Sequence, residues 1–329
     1  MIKKDVFLKL GPFLLCVLLS GCGSKDMGKT TIRLAHTLDT QHPVHLSLVY
    51  MNDVLKRMSN NSMELIVYPS GQVGSEREII ELLQIGSMGM TKVSASSLEA
   101  FVPEMKVFSV PYLFNNHEHY WKTLDSDVGQ YLLDTGKPFL IKGLGYFDAG
   151  SRSFYTTKDK VESPDDLSGL KIRVMSSQSA VEMVNTMGGS ATPVSWGELY
   201  TSLQQGIVSG AENNPPSFFY SKHYEVSKYY LLDEHTSIPD VIIIGTKVWN
   251  KLTKEQQGWL SQAMREATAY QKKIWAESTA MSLEKVSEAG VEVIKADKAL
   301  FQISVAPIYE RLRGTELAPI IDKIKVLGE

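Results

Sequence analysis

The sequence predicts an α/β protein with two lobes and a long helix that bridges both of them. Strand and helix signals alternate along the chain from Thr30 onward, which is typical of βαβ units. About 300 residues remain once a short leader is set aside, more than a single hydrophobic core usually serves. A segment from 253 to 289 has no proline and one glycine, so it can form a helix that exceeds the width of one lobe.

The first residues, MIKKDVFLKLGPFLLCVLLSGC, form a leader rather than part of the fold. Lys3 and Lys4 precede an apolar run from 11 to 19, which is too short to remain as a membrane span. Residues 19–22, LSGC, look like a bacterial lipobox, in which the cysteine is diacylated and becomes the first mature residue. We therefore expect residues 1–21 to be a lipoprotein signal peptide and Cys22 to carry lipid. Residues 22–30 would be a polar tether.

The charge balance and the cysteine count exclude two function classes. The chain has 34 basic and 37 acidic residues, and removal of the leader makes the mature net charge more negative. No basic stripe remains for nucleic acid, so we expect no nucleic-acid partner. Of the two cysteines, Cys16 lies in the leader and Cys22 would be bonded to lipid, so the mature chain should contain no disulfide.

The first half of the chain alternates strands and helices. TIRLAH predicts a strand, and a helix opens at Pro43 with an apolar stripe through Val44, Leu48, Met51, Leu55 and Met58. MELIVYP predicts the second strand. Ser75 then begins a helix whose capping box is closed by Glu78, and MGMTKVS predicts a third strand. These βαβ units predict a parallel sheet.

The same alternation resumes after residue 139. FLIKGLGYF, SRSFYTT and GLKIRVM predict three strands, followed by a helix over 177–187 that Gly188 and Gly189 stop. A further helix is expected to be capped by Ser195 and Glu198.

The helix over 253–289 would be about 50 Å long. Its apolar residues keep no strict heptad, so a helix that bridges two lobes is favoured over a coiled coil. We expect one lobe to comprise 31–150 with about 239–275, and the other to comprise 151–238 with about 276–329.

Signals for an enzyme, a cofactor or a metal are weak. GLGYFDAG begins like a dinucleotide-binding loop, but Asp148 occupies the third glycine position. The histidine pairs 42/45 and 117/119 have no cysteine or carboxylate at ligand spacing. No nucleophile elbow of the G-x-S-x-G type is present. We therefore expect no cofactor, no metal and no catalytic activity.

Signals for binding are stronger, and they lie where strands end. Arg173 occupies a strand that is expected to be covered on both faces, so it needs an anionic partner, either an internal carboxylate or a ligand. Arg152 is a second cation near a strand, or else a surface residue, and Asn213 follows the IVSGAE run. Two guanidinium groups, an amide and a helix N-terminus would bind a carboxylate that bears hydroxyl groups.

Several segments together resemble one family. GLKIRVM, TPVSWGELYTSLQQGIVSGAENN, KHYEVSKYYLLDEHT and YPSGQVGSEREIIELLQIGSMGM are similar to the substrate-binding subunits of TRAP transporters, the DctP-type proteins. The resemblance implies a two-lobed periplasmic-binding-protein-like fold with hinge strands and a long crossing helix. It implies that Arg173 forms a two-pronged salt bridge with a substrate carboxylate, and that Arg152 and Asn213 assist.

The resemblance extends less firmly to three further residues. Trp196 matches an aromatic position against the ligand, although a buried tryptophan also covers core. Glu76 matches an acidic position facing the cleft, although the helix dipole also explains it. His36 ends the first strand and either reaches a ligand hydroxyl or is structural.

The ligand class follows from the resemblance as well. Ser94 stands where sialic-acid-binding members carry a glutamate, which disfavours sialic acid. GSERE, MTKVS, SRSFY and DEHT look most like members that bind hexuronates such as glucuronate or galacturonate. The implied protein is an extracytoplasmic, lipid-anchored receptor, in the periplasm or at the cell surface, that delivers a sugar acid to TRAP permease subunits. The alternatives are a ligand sensor that docks a signalling kinase, and a sugar-acid enzyme with His36 and Glu76 as acid and base.

Overall fold

The structure is a computed structural model that describes residues 28–329, so the signal peptide and Cys22 lie outside the described residues. This part of the chain contains strands β1 (Thr30–Ala35), β2 (Met63–Tyr68), β3 (Met90–Ser94), β4 (Ile141–Phe147), β5 (Ser153–Thr156), β6 (Lys171–Val174), β7 (Ser190–Pro193), β8 (Gly210–Asn213), β9 (Tyr229–Leu232), β10 (Asp240–Gly245) and β11 (Glu292–Lys295).

The α-helices of the same residues are α1 (Pro43–Met58), α2 (Glu76–Ile85), α3 (Ala95–Leu98), α4 (His117–Asp125), α5 (Asp127–Thr135), α6 (Gln178–Thr186), α7 (Trp196–Gln204), α8 (Pro215–Tyr220), α9 (Thr246–Trp249), α10 (Lys254–Glu288), α11 (Lys298–Ser304), α12 (Ala306–Leu312) and α13 (Ala318–Leu327). Short 3₁₀ helices span Pro103–Ser109, Lys137–Phe139, Pro164–Leu167 and His223–Glu225.

The strands form two sheets, and each sheet is the centre of one lobe. The first sheet has the order β2-β1-β3-β10-β4, and the second has the order β11-β9-β5-β8-β6-β7. We call the lobe around the first sheet the first lobe and the other the second lobe. The predicted α/β fold with two lobes is confirmed.

The prediction of a parallel sheet is correct only in part. Strands β1, β2 and β3 are parallel to one another, as the βαβ pattern indicates. Strand β10 is antiparallel to both of its neighbours, β3 and β4. It enters the first sheet after the chain has passed through the second lobe, so its direction does not follow from local βαβ connections. The second sheet is also mixed, because β5 is antiparallel to β8 and β9 while β6 is parallel to β7 and β8.

Two segments between the sheets carry the chain from one lobe to the other. Residues 148–152 connect β4 to β5, and residues 233–239 connect β9 to β10. We call these the crossing segments. They lie side by side, because the backbone nitrogen of Arg152 donates to the carbonyl oxygen of Thr236 at 2.8 Å.

The long helix α10 is the third connection between the lobes. A capping box starts it, in which Thr253 and Gln256 exchange hydrogen bonds of 3.2 and 3.0 Å. It packs against α1 and β4 in the first lobe and against α8 and β11 in the second. Its buried residues extend from Leu260 to Val286, so apolar contacts hold it along its length. The predicted bridging helix is confirmed.

Local signals in the first lobe give the expected helices. Pro43 opens α1, whose buried residues Val44, Leu48, Met51 and Leu55 lie on one face. Helix α2 has the predicted capping box, since the Ser75 backbone nitrogen donates to Glu78 Oε2 at 2.8 Å and Ser75 Oγ accepts from Glu78. The cap of α2 places Glu76 in the first turn of the helix.

The division of the chain between the lobes stays a prediction, and one segment lies elsewhere than we expected. Helix α13 falls within the range of about 276–329 that we expect in the second lobe. It packs instead against α4 and α5, and Ile321 and Ile324 belong to the core of the first lobe. The reason is that both isoleucines bury their side chains against apolar residues of α4 and α5, which local patterning cannot show.

A pair of glycines tests the packing of this fold. Gly210 lies in β8 between two neighbouring strands, where a Cβ atom would collide with the Tyr155 carbonyl oxygen and with Thr156. We expect Gly210→Ala to lower the free energy of unfolding by about 1–3 kcal/mol. Gly258 is an exposed position of α10 with open space around it. Gly258→Ala should therefore raise the free energy of unfolding by about 0.5–1 kcal/mol. Urea unfolding measures both variants, and equal effects would contradict this packing.

Candidate functional site

The candidate site is a cavity of about 150 Å³ between the two lobes. The first lobe contributes Glu76 and Lys92 to its wall, and the second contributes Arg173, Trp196 and Asn213. The crossing segments add Arg152 and Ile238 to the same wall, and β10 adds Asp240. A molecule in this cavity therefore contacts both lobes and both crossing segments.

Arg173 is almost fully buried, with 2% of its surface exposed, yet it has no carboxylate partner among residues 28–329. Its Nε donates to the carbonyl oxygen of Val194 at 2.8 Å, which orients the guanidinium plane. Its Nη1 is buried without a hydrogen-bond partner. Burial lowers the pKa of Arg173, because the charged guanidinium has lost its hydration. Such a group is ready to receive an anion.

Trp196 supports this guanidinium from one side. The Arg173 Cζ atom lies 5.7 Å from the centre of the Trp196 ring, which is a cation–π distance. Trp196 begins helix α7 and is only half-buried, so its ring also faces the cavity. Ser195 is the N-cap residue as predicted, but its hydroxyl donates to Glu198 Oε2 at 2.5 Å instead of accepting a backbone N–H.

Arg152 is also buried, but it differs from Arg173 because its charge is paired. Its Nη2 donates to Glu212 Oε1 at 2.9 Å and to the Glu212 carbonyl oxygen at 2.8 Å, and its Nε donates to Glu212 Oε2. The surface alternative for Arg152 is wrong. Burial opposes the charge of Arg152, but the Glu212 carboxylate outweighs it and raises the arginine pKa. In turn, Arg152 and His235 lower the pKa of Glu212 to about 2, against its own burial.

Asn213 binds the third nitrogen of the Arg152 guanidinium, Nη1. Its Oδ1 accepts from Arg152 Nη1 at 2.9 Å and from the backbone nitrogen of Asn214, also at 2.9 Å. With the oxygen fixed in this way, the amide nitrogen Nδ2 is left to face the cavity. Asn213 is therefore oriented as a donor, in line with its predicted role as a ligand contact, which stays a prediction.

His235 extends this buried network toward the crossing segment 233–239. Its Nδ1 lies 2.7 Å from Asp233 Oδ2, and its Nε2 lies 3.5 Å from Glu212 Oε2, an ion-pair distance without a well-aligned hydrogen bond. Burial opposes protonation of His235, but Asp233 and Glu212 outweigh it and raise the histidine pKa to about 9. At neutral pH this histidine is a cation between two carboxylates.

The first lobe presents an acidic group on the opposite wall. Lys92 is buried in β3, and its Nζ lies 3.1 Å from Glu76 Oε1 and 3.1 Å from Asp240 Oδ1. The backbone nitrogen of Ser94 also donates to Glu76 Oε1, at 3.2 Å. Burial raises the pKa of Asp240, and Lys92 opposes that effect. Two carboxylates that are held in place by one ammonium group keep lone pairs free to accept hydrogen bonds from hydroxyls.

His36 does not line the cavity, contrary to the prediction that it reaches a ligand. It is fully buried behind the wall, where its Nε2 lies 3.0 Å from His45 Nδ1 and its Nδ1 accepts from the Leu38 backbone nitrogen at 3.2 Å. Burial lowers its pKa to about 3, with a smaller contribution from Lys92, so it is neutral. His42 faces the cavity instead, with Nε2 3.3 Å from Ser217 Oγ.

Four charged residues of the cavity wall and of the buried network behind it were not predicted from the sequence. Glu212, His235, Lys92 and Asp240 were not selected, although Glu212 adjoins Asn213 and Lys92 lies in the MTKVS strand. The signal for Lys92 was available, because a cation in a buried strand needs anionic partners, as argued for Arg173. The pairing of Glu212 with Arg152 depends on the antiparallel register of β5 and β8, which the sequence does not reveal.

A family model for bacterial extracellular solute-binding proteins, family 7 (DctP), matches residues 34–315. The chain belongs to this family. The predicted resemblance is therefore confirmed, and the family and its structural neighbours are substrate-binding proteins of TRAP transporters, so the protein is a binding protein and not an enzyme.

Three similar proteins illustrate how far the likeness extends. A TRAP periplasmic solute-binding protein from Anaerococcus prevotii, solved with bound glucuronate, is 36% identical at a TM-score of 0.88, over 91% of this chain and 98% of that one. A TRAP solute-binding protein from Xanthobacter autotrophicus, solved with bound galacturonate, is 35% identical at a TM-score of 0.87, over 90% of this chain and 99% of that one. The uncharacterized protein YiiZ of Salmonella typhimurium is 37% identical over 316 residues, 95% of each chain.

Membership of this solute-binding family gives the protein an extracytoplasmic location. Within residues 28–329, none of the helices is both long enough and apolar enough to cross a membrane.

The buried histidine gives the site a distinct pH dependence. His235 has a pKa of about 9 in the folded protein, above its ordinary value of about 6.5, so its stabilising effect is complete below pH 6.5 and is lost as the pH rises through 9. We expect the free energy of unfolding to fall between pH 7 and 9.5, with a slope of at most about 1.4 kcal/mol per pH unit from this group. Urea unfolding of wild type and His235→Gln across this range measures it. Identical slopes for the two proteins would contradict the assignment.

Proposed function

We propose that the protein is a receptor for a hexuronate such as glucuronate or galacturonate, which it captures between its lobes and delivers to TRAP permease subunits. The observation that carries the proposal is the buried guanidinium of Arg173, which faces the cavity and has no carboxylate partner among residues 28–329. A ligand carboxylate supplies the missing anion, and the planar guanidinium fork suits its two oxygens. Asn213 Nδ2 adds a neutral donor from the same lobe.

The opposite wall explains why the ligand is a sugar acid rather than a dicarboxylate. Glu76, Asp240 and Lys92 carry a net charge of −1 when both carboxyls are ionised. A second carboxylate on the ligand would be repelled there, whereas hydroxyl groups donate hydrogen bonds to the free lone pairs. The bound glucuronate and galacturonate of the two structural relatives support the same ligand class.

Capture by lobe closure follows from where these groups lie. Arg173, Trp196 and Asn213 belong to the second lobe, and Glu76 and Lys92 belong to the first. A ligand contacts both sets at once only when the lobes are together, so its binding shifts the population toward the closed form.

A titration of ligand into wild-type and variant protein tests the proposal. Hexuronates should raise the melting temperature, because ligand at 100 times its dissociation constant stabilises the folded protein by about 2.7 kcal/mol, while the matching neutral hexoses should not raise it. Arg173→Lys keeps the charge but loses the planar guanidinium that can bind both carboxylate oxygens. Hexuronate affinity should therefore fall about tenfold to a hundredfold in calorimetric titration. The ligand-free Arg173→Lys protein should be about as stable as wild type, because no internal ion pair is broken.

Arg152→Lys is the matched control, since it makes the same exchange at an arginine that is paired with Glu212. It should destabilise the ligand-free protein, because Glu212 loses its two-pronged partner. Binding of neutral hexoses alone, or a loss of ligand-free stability in Arg173→Lys equal to that in Arg152→Lys, would refute the anion receptor.

We further propose that lipid on Cys22 anchors the receptor to a bacterial membrane through the tether 22–30. The lipobox-like LSGC and the extracytoplasmic family support this proposal. Cys22→Ser should abolish acylation and leave the protein unprocessed or released, with hexuronate affinity unchanged because the cavity is built from residues beyond the tether. Metabolic labelling with a radioactive fatty acid checks it, and a Cys22→Ser protein that still carried label would contradict it.

A further inference from the structure

A buried glutamate that is not part of the wall of the ligand cavity joins the two lobes. Glu99 follows helix α3 in the first lobe, and 3% of its surface is exposed. Its Oε1 accepts from Ser177 Oγ at 2.8 Å and from the Ser179 backbone nitrogen at 3.0 Å, both in the second lobe. Its Oε2 accepts from Ser109 Oγ at 3.3 Å, within the first lobe. One carboxylate therefore accepts hydrogen bonds from residues of both lobes.

The partner of Glu99 is the N-terminus of α6, a nine-residue helix. The free N–H groups of a helix N-terminus carry partial positive charge and favour an anion. Ser177 already caps α6 from within, because its Oγ accepts from the Ala180 backbone nitrogen at 3.0 Å. Glu99 adds a second cap that comes from the other lobe.

Helix α6 directly continues the part of the chain that holds the ligand anion site. Arg173 lies in β6, and the loop between β6 and α6 contributes Met175 and Ser176 to the cavity wall. The same loop touches the first lobe beside the glutamate, where Ser97 Oγ lies 4.0 Å from Met175 Sδ. The bonds of Glu99 therefore fix the Arg173 end of the second lobe against the first.

We propose that Glu99 is a latch for the closed form, a positioning residue that raises ligand affinity without touching the ligand. The proposal rests on the proposed function, in that ligand capture requires the lobes to close. When the lobes separate, Glu99 Oε1 loses both of its partners in the second lobe, so its bonds favour the closed form alone. Affinity for a ligand that binds the closed form then rises with the population of that form.

The test replaces the carboxylate by its neutral isostere. Glu99→Gln keeps the shape and one acceptor oxygen but loses the charge that faces α6, and charge-assisted hydrogen bonds are about twice as strong as neutral ones. We expect the dissociation constant for D-glucuronate to rise about tenfold, mostly through faster release. We expect the melting temperature of the ligand-free protein to stay unchanged.

A distance between the lobes is measured in the absence of ligand. Glu81 on α2 and Thr201 on α7 are exposed, and each helix begins with a residue of the cavity wall, so spin labels at Glu81→Cys and Thr201→Cys report lobe separation. Glu99→Gln should shift the distances toward the separated lobes. Glu99→Asp keeps the charge but shortens the reach, and it should act in the same direction.

Asp297→Asn is the matched control. Asp297 Oδ1 accepts from the Ala299 backbone nitrogen at 3.1 Å and caps α11 within the second lobe, so the same exchange there should leave affinity and label distances unchanged. If Glu99→Gln lowers the melting temperature without changing the distances, Glu99 is only a structural cap and the proposal is wrong. If wild type binds no hexuronate, the proposed function fails, and the distances of the ligand-free proteins still decide whether Glu99 is a latch.

Discussion

The ion pair between Arg152 and Glu212 is the interaction on which the site depends. Two buried arginines lie close enough for each to lower the pKa of Tyr155, although burial of that phenol raises its pKa overall. Glu212 neutralises Arg152, and Arg173 has no carboxylate partner in the part of the chain that the structure describes. The pair also joins β8 to the crossing segment 148–152, and His235 extends it to the crossing segment 233–239. The network at the point where the lobes meet therefore also determines which of the two arginines has its charge paired with a carboxylate of the described chain.

Most of the fold was accessible from the sequence because its signals are local. Proline at the start of α1, the capping box of α2 and the uninterrupted helix α10 each depend on residues a few positions apart. The antiparallel direction of β10 and the return of α13 to the first lobe were not accessible. Both depend on which distant segments pair, and nothing near residues 240 or 320 records that choice.

The candidate site shows the same limit at the level of single residues. Arg173 lies in a strand and Arg152 lies beside one, and we predicted a ligand contact for both. The structure separates them through the β5 and β8 register, which sets Glu212 within reach of Arg152. His36 failed as a ligand contact for a related reason. A side chain at a strand end points to one face or the other, and here it lies against His45 of α1.

Both described ends of the chain lie on the first lobe. Strand β1 begins at Thr30 in the first sheet, and α13 ends against α4, where Asn115 Nδ2 donates to the Gly328 carbonyl oxygen at 3.2 Å. A lipid at residue 22 would therefore fasten the first lobe near the membrane, and the second lobe would be the part that swings. Arg173 would then move relative to the bilayer, while Glu76 and Lys92 of the first lobe stayed in place. A permease beside such a receptor would contact one lobe that stays in place and one lobe that moves when the ligand binds.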